Sequence, residues 1–401
     1  MGGSTKIMPN LFQVQATDGQ ARVGLLRTPH GQVETPAFMP VATQGSVKAL
    51  APDDLMSLGA EILLCNTYHL MLRPGIEVIH GLGGLHSFMG WQGPILTDSG
   101  GFQTFSLGRL QRVSEEGVLF RSHIDGSSHL LSPEMSVEYQ ARLGVDIAMV
   151  LDECAPYGVE EAQVRHAMDV THRWARRCQE VRRPEGQALF AIVQGGVSSA
   201  LRLESAASLV SMGFDGYAVG GLSVGEPKAT MYRVVSLMGE TLPHNKPRYL
   251  MGVGSPEDLV ECVARGIDLF DCALPSRVAR NGGLLTRRGR LNVDNAPFRE
   301  RPGPIEDGCD CYTCRSFSLA YLHHLFRAKE LLAYRLATIH NLRFVVRLME
   351  EMRRAIAAGA FAPFRERFLS EYRVTDEEVR RFQKERWIEA QVKPRKSKGD
   401  S

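Results

Sequence analysis

A (β/α)8 (TIM) barrel, an α/β fold, is what this 401-residue sequence predicts, on three observations. Eight short apolar runs recur between residues 36 and 274. Most are followed by Gly, Asn, Asp or Gln and then by a stretch with helical periodicity, the grammar of buried parallel strands joined by crossover helices. Hydrophobic residues at 44% and charged residues at 23% describe a globular chain long enough to bury a large core, which excludes global disorder, collagen and coiled coil. Eight βα units match the barrel. A doubly wound open sheet shares the same periodicity, and at this level it stays open.

In chain order, residues 1–9 are small and polar and predict a disordered N-terminus. FQVQATDGQARVGLL (12–26) predicts a hairpin turning at Asp18-Gly19. The strands follow: PAFMPV (36–41), EILLC (61–65), PILT (94–97), DIAMVL (146–151), LFAIV (189–193), GYAVG (216–220), RYLMGV (248–253) and DLFDCAL (268–274). The long gap between the third and fourth holds VLFRSHIDGSSHLL (118–131), a second hairpin turning at Asp125-Gly126. Among the intervening helices, PEDLVECVARG (256–266) has apolar periodicity, with Ser255 placed as N-cap before Pro256. After the eighth run the grammar changes. Residues 275–314 are turn-rich with short strands such as GGLLT and GRLNV, and 316–358 are strongly helical.

The eight cysteines do not read as a disulfide scaffold in a chain of this length. Five are scattered in apolar contexts, whereas Cys309, Cys311 and Cys314 fall within six residues. With a histidine they form a set of four ligands suited to one tetrahedral Zn2+, closed to water and therefore structural. His340 lies 26 residues beyond Cys314, and spacing alone leaves His323 and His324 open. The expected division is a barrel with its two hairpins over 10–275, a zinc-binding insertion and helical subdomain over 276–358, a C-terminal helical region over 359–391 and a disordered basic tail over 392–401. No run of 18 apolar residues occurs and MGGSTKIMPN has no apolar stretch. The expectation is a cytoplasmic chain with no membrane partner.

The net charge of +2 hides an asymmetry: residues 315–401 carry a net of +8 and the rest −6. An acidic body with one basic end suits a polyanionic partner held at that end. Functional groups of a barrel gather at the C-terminal ends of its strands. Those ends read Asn66, Asp98 in TDSGGFQ, Asp152-Glu153, Gln194-Gly195-Gly196, Gly220-Gly221 and Asp271. Three aspartates at one mouth can supply a nucleophile and a proton-transfer group. An Asp, Gln and Gly-amide set offers donors and acceptors to a planar heterocycle. Asp98-Ser99-Gly100-Gly101 also has the form of a phosphate-binding turn, a weak motif alone, and GGLSVG lacks full dinucleotide spacing. Arg277 and Arg280 follow Asp271 closely enough to hold a phosphodiester backbone, which makes nucleic acid the better single explanation of the charge pattern.

Taken together, LLCNTYHLMLRPG (63–75), LTDSGGFQ (96–103), LDEC (151–154), QGG (194–196), GYAVGGLSVGE (216–226), YLMGVG (249–254), FDCALPSR (270–277) and CxCxxC…H (309–340) resemble the tRNA-guanine transglycosylase family from about Phe12 to about Tyr372. The resemblance implies a (β/α)8 barrel with a zinc-binding insertion. It implies exchange of the wobble guanine of tRNAs with a GUN anticodon (Asp, Asn, His and Tyr) for a 7-deazaguanine base, in a homodimer. Asp271 matches the nucleophile and Asp98 the general acid/base. Asp152, Gln194 and the Gly221 amide match the groups that read the base, Leu222 the carbonyl facing its 7-substituent, and Phe102 and Met251 the residues that sandwich it. Arg277 and Arg280 match arginines on the anticodon loop, and Cys309, Cys311, Cys314 and His340 match the zinc ligands. Phe102 departs from the Tyr frequent in bacterial members. Ala279, where Gly is more usual, gives up access to positive φ and could shift the loop presenting Arg280. Cys154 and Val224 look like the bacterial form, and a Val side chain there narrows the pocket to 7-aminomethyl-7-deazaguanine. A queuine-inserting enzyme and a non-catalytic tRNA-binding partner subunit are the alternatives.

Overall fold

The computed structural model describes residues 11–101 and 111–374. The terminal segments 1–9 and 392–401, the part of 359–391 beyond residue 374, and Phe102 lie outside the described residues. Seventeen strands are described. The first three, β1 (Phe12–Asp18), β2 (Ala21–Thr28) and β3 (Gly31–Thr35), form an antiparallel meander. The predicted hairpin is its first half. Its two loop residues are Gly19 and Gln20, one position later than expected, with Gly19 at φ +62°.

The barrel is built by β4 (Ala37–Met39), β5 (Val41–Ala42), β6 (Leu63–Asn66) and β7 (Ile95–Asp98), then β11 (Ile147–Met149), β12 (Ala188–Val193), β13 (Gly216–Val219), β14 (Arg248–Leu250) and β15 (Leu269–Asp271). All neighbouring pairs are parallel. β4 and β5 are one strand interrupted at Pro40, which has no N–H to give a ladder. Its first half pairs with β15 and its second with β6, so eight strands close on themselves and the open doubly wound sheet is excluded. Each predicted apolar run overlaps one of the eight barrel strands, to within a residue at most ends. β12 is buried at all six positions because both faces are covered, one by the barrel interior and one by helices.

The helices that cover the barrel include Glu161–Glu180, Ser199–Met212, Lys228–Thr241 and Pro256–Val263. Ser255 is the N-cap residue of the last, but its hydroxyl donates to the Asp258 carboxylate and accepts no helix N–H. Between β7 and helix Pro133–Leu143 a second antiparallel sheet is inserted, made of β8 (Gln111–Ser114), β9 (Gly117–Arg121) and β10 (Ser128–Leu131). Its β9–β10 hairpin turns through Asp125-Gly126 as the sequence predicts, with Gly126 at φ +77°.

The meander caps the N-terminal ends of the barrel strands. Arg22 of β2, 1% exposed, donates to both oxygens of fully buried Asp268, at 2.9 and 2.5 Å, and to the carbonyls of His244 and Lys246 at 2.8 Å. His30 and His86 stack at 3.6 Å and meet the two oxygens of Asp146 at 2.9 and 3.3 Å. With this end closed, chemistry is left to the opposite mouth.

Beyond β15 come helix Leu274–Arg280 and the hairpin of β16 (Gly283–Thr286) and β17 (Gly289–Asn292), both short strands that the sequence anticipates. Helices Tyr312–Ser316, Leu319–Ala328, Leu331–Ala357 and Phe361–Glu371 follow. The 27-residue helix Leu331–Ala357 packs against helix Leu274–Arg280 and against β1, β2 and β4. Among the described residues, no helix is long and apolar enough to cross a membrane.

Candidate active site and metal centre

Asp98 and Asp271 are the last residues of β7 and β15. Asn66, the last residue of β6, stands beside Asp98 in the ladder and uses its side chain twice. Its Oδ1 accepts the His69 N–H at 3.2 Å, capping helix Thr67–Leu72, while its Nδ2 donates to Asp98 Oδ2 at 3.3 Å. A strand-end residue thereby fixes both the next helix and an aspartate.

Among the described residues, Asp271 is held through one oxygen. Oδ1 accepts the Tyr249 hydroxyl at 2.6 Å and the Gly252 N–H at 2.8 Å, leaving Oδ2 for other business. Burial raises the Asp271 pKa, and these two hydrogen bonds oppose the rise. Burial also pushes the Tyr249 phenol well above its usual range, with Asp271 and then Asp98 adding to it. The phenol therefore stays a donor and feels both carboxylates. Tyr249 was not legible as a site residue: an aromatic inside a buried strand reads as core.

Asp152 lies three residues past β11 and Gln194 directly follows β12. Gln194 Nε2 donates to Asp152 Oδ2 at 2.7 Å. Burial pushes the Asp152 pKa up to about 6 despite that bond. Two glycines bring backbone against this pair. A Cβ on Gly101 would come within 2.5 Å of the Asp152 carbonyl oxygen, and one on Gly221 (φ +64°) within 2.6 Å of Gln194 Oε1. Cys154 is beside Gly221, its thiol pushed up to about 12 by burial. Leu222 is buried and Met251, just past β14, is half-buried against the core.

Two further residues organise this edge. Arg202, fully buried, donates to the carbonyls of Gly196 (2.8 Å), Val193 (2.7 Å) and Gly220 (2.7 Å), tying the ends of β12 and β13 together. Glu226 accepts the N–H groups of Ser223, Val224 (3.0 Å) and Gly225 (3.2 Å), fixing the loop that carries Val224, with Ser223 at φ +58°. Sequence reasoning missed both, since charged residues in a helix or a loop read as solvated surface.

Arg277 and Arg280 occupy the last turn of the helix that begins three residues after Asp271. Arg277 is exposed, and Arg280 is half-buried with Nε donating to the Ser276 carbonyl at 3.2 Å. Ala279 is buried inside this helix, outside the left-handed region, so the chain makes no use of the glycine freedom given up there.

The three cysteines and His340 converge. Their ligand atoms lie within 4.8 Å of one another, a cluster that can hold a metal ion. His340 Nδ1 is 3.7, 3.6 and 3.4 Å from the sulfurs of Cys309, Cys311 and Cys314. A tetrahedral ion with bonds of about 2.3 Å to sulfur and about 2.05 Å to nitrogen separates those atoms by about 3.6 Å. His340 Nε2 meets the Leu285 carbonyl at 2.7 Å, which turns Nδ1 toward the sulfurs, and the Cys314 N–H donates to Cys311 Sγ at 3.3 Å. His323 is engaged elsewhere, with Nδ1 on the Val293 carbonyl at 2.7 Å, and His324 stacks on Tyr321. Geometry thus selects His340.

A closed barrel that carries three aspartates and an Asp–Gln polar pair at its strand ends, followed by two arginines, has the groups that an enzyme of group transfer needs. Comparison with known proteins narrows the class. The family model described as queuine tRNA-ribosyltransferase matches residues 17–374. Proteins named queuine tRNA-ribosyltransferase are 56% identical over 370 residues in Dehalococcoides mccartyi strain 195 (92% of this chain, 94% of the relative) and 58% over 352 residues in Pelotomaculum thermopropionicum (88% and 95%). Another from Caldanaerobacter subterraneus subsp. tengcongensis is 55% identical over 364 residues (90% and 97%). The chain belongs to the queuine tRNA-ribosyltransferase family, the tRNA-guanine transglycosylases, which are pentosyltransferases.

Proposed function

We propose that this enzyme exchanges the wobble guanine of GUN-anticodon tRNAs (Asp, Asn, His, Tyr) for 7-aminomethyl-7-deazaguanine, a step of queuosine biosynthesis. The observation that carries the reading is Asp271, with Oδ1 held by Tyr249 and Gly252 and Oδ2 left for attack. The reaction is a double displacement, akin to that of retaining glycosidases. Asp271 attacks the ribose C1′ as the bond from C1′ to guanine N9 breaks, giving a ribosyl–aspartyl ester and free guanine. Asp98 assists the proton transfer to the departing base and then takes the proton from the incoming base. The deprotonated base attacks C1′ and expels Asp271, so two inversions give net retention. One glycosidic bond replaces another, and no net oxidation or phosphoryl transfer takes place.

Asp152, Gln194 and the Gly221 amide read the base edge, Leu222 offers its carbonyl to the 7-substituent, and Phe102 and Met251 sandwich the ring. Their support is the Asp152–Gln194 bond and the close approach of Gly221. The Glu226-bound loop carrying Val224 favours the small base over queuine. Arg277 and Arg280 hold the anticodon loop. Zn2+ suits Cys309, Cys311, Cys314 and His340, whose separations fit its bond lengths, and it cross-links the insertion without entering the reaction. Exposed Tyr312 and Tyr321 support a homodimer, and the five free cysteines outside the metal cluster support a cytoplasmic location.

The test is release of labelled wobble guanine from unmodified tRNA-Tyr, with 7-aminomethyl-7-deazaguanine or queuine, by wild type and Asp271→Asn. Release with the small base alone, abolished by the substitution, is expected. Equal release with queuine refutes the role of Val224. No release with either base favours the non-catalytic subunit.

A further inference from the structure

A second basic site lies away from the catalytic mouth. A cavity of about 490 Å³ is walled by Arg287 at the β16–β17 turn, Arg354 near the end of helix Leu331–Ala357, and Arg367 of helix Phe361–Glu371. Its floor is apolar, with Ala355, Phe364 and Phe368, and the two phenylalanines stack at 6.3 Å. Glu351 and Glu371 also reach the cavity. Glu351 is already paired with Arg287. Arg354 and Arg367 are exposed, and their guanidinium groups make no ion pair or hydrogen bond among the described residues. Elsewhere on this helix arginines are engaged: Arg335 with Asp54, Arg343 with Asp310 and Glu350, Arg347 with Glu306, and Arg353 with Glu34 and Glu61. Exposed Arg288 and Arg373 extend the positive surface, joined by the Arg373 N–H donating to the Arg288 carbonyl at 3.3 Å.

The cavity is placed toward the closed end of the barrel. Arg353, next to Arg354, donates to the carbonyls of Glu34 and Pro36, where the chain enters β4. Phe361 donates its N–H to Asp18 in the capping meander. Asp98 and Asp271 are at the other ends of the strands.

We propose that this site binds the sugar–phosphate backbone of the tRNA outside the anticodon loop, with Arg354 and Arg367 on phosphate oxygens. The proposal rests on the tRNA substrate of the preceding section. Its own support is the pair of uncommitted guanidiniums, their place together on the wall of one cavity and the net positive charge of this end of the chain. A polyanion that spans the enzyme meets one charged site at the mouth and one here.

The test compares wild type with the Arg354→Ala/Arg367→Ala double variant, by binding titration over a series of salt concentrations. The probes are full-length unmodified tRNA-Tyr and a hairpin holding only its anticodon stem and loop. Loss of two phosphate contacts should weaken full-length tRNA binding by about tenfold and flatten the log Kd against log salt slope by about 2, with hairpin affinity unchanged. Unchanged affinity for both RNAs overturns the proposal, and equal weakening for both overturns its placement outside the loop. If wild type binds and exchanges tRNA normally while the variant matches it, only this proposal fails. If wild type binds no tRNA, the tRNA reading falls as well. Both side chains are exposed, so the variant keeps the fold, which its unfolding midpoint checks.

Discussion

Asp152→Asn should make the protein more stable and less active, and the gain should depend on pH. The Asp152 carboxyl is buried, and its pKa stands near 6 against an ordinary value of 3.8. The folded state therefore binds a proton more tightly than the unfolded chain between those values. The sign follows: below about 3.8 the group is protonated in both states and costs nothing, and above about 6 the folded state bears the full penalty of a buried charge. A rise of that size corresponds to about 3 kcal/mol at pH 7. Asparagine keeps an oxygen to accept the Gln194 amide and carries no charge, so it recovers up to that amount. Urea unfolding at pH 7 and pH 4 gives the difference: a gain of about 2–3 kcal/mol at pH 7 that shrinks toward zero at pH 4. In the proposed base reading the asparagine amide also puts a donor where the donor edge of guanine needs an acceptor, so kcat/KM should fall by about 10²-fold or more. A stability difference that is the same at both pH values, or a loss at pH 7, refutes the buried-charge argument.

Tyr249→Phe removes one of two hydrogen bonds to Asp271 Oδ1, a bond that lowers its pKa. About a 10- to 100-fold fall in kcat is expected with little change in the KM for tRNA, and the acid limb of the kcat profile should move to higher pH. Elemental analysis is expected to find one metal ion per chain in wild type and none in Cys311→Ala, and the variant should open the segment around 285–316 to protease while the barrel keeps its far-ultraviolet dichroism. Arg22→Met leaves Asp268 buried without its partner and should cost about 3–5 kcal/mol at pH 7 in urea unfolding. Burial raises the Asp268 pKa, so that loss should shrink in acid as the carboxyl takes up a proton.

The barrel was legible because its strands are buried on both faces, which leaves continuous apolar runs such as LFAIV that no loop resembles. β3 and β8 were not foreseen: GQVET and QRVS are short and half polar, and they become strands only through the partners beside them. The places of Asp98, Asp152, Gln194 and Asp271, at or just past strand ends, were readable because strand ends recur at predictable places in a barrel. Tyr249 and Arg202 could not be read, since each works through a tertiary hydrogen bond that spacing does not encode, and Glu226 could not because it acts on the amides of its own loop, whose turn the sequence does not mark. The histidine of the metal cluster was one of three by sequence, and the Leu285 carbonyl distinguishes it.

The seam at Pro40 has a consequence for how the chain is made. Residues 37–39 can pair only with residues 269–271, about 230 residues further on. At a synthesis rate of about 5–20 residues per second, that edge waits on the order of 10–50 s for its partner. During translation the first strand therefore offers an unpaired apolar edge while seven later strands are still emerging. The meander that leads into it, and the arginine of the late helix that reaches back to Glu34 and Pro36, guard that edge only at the start and at the end of synthesis. A nascent chain in between depends on the ribosome and its chaperones to keep that edge from neighbouring chains.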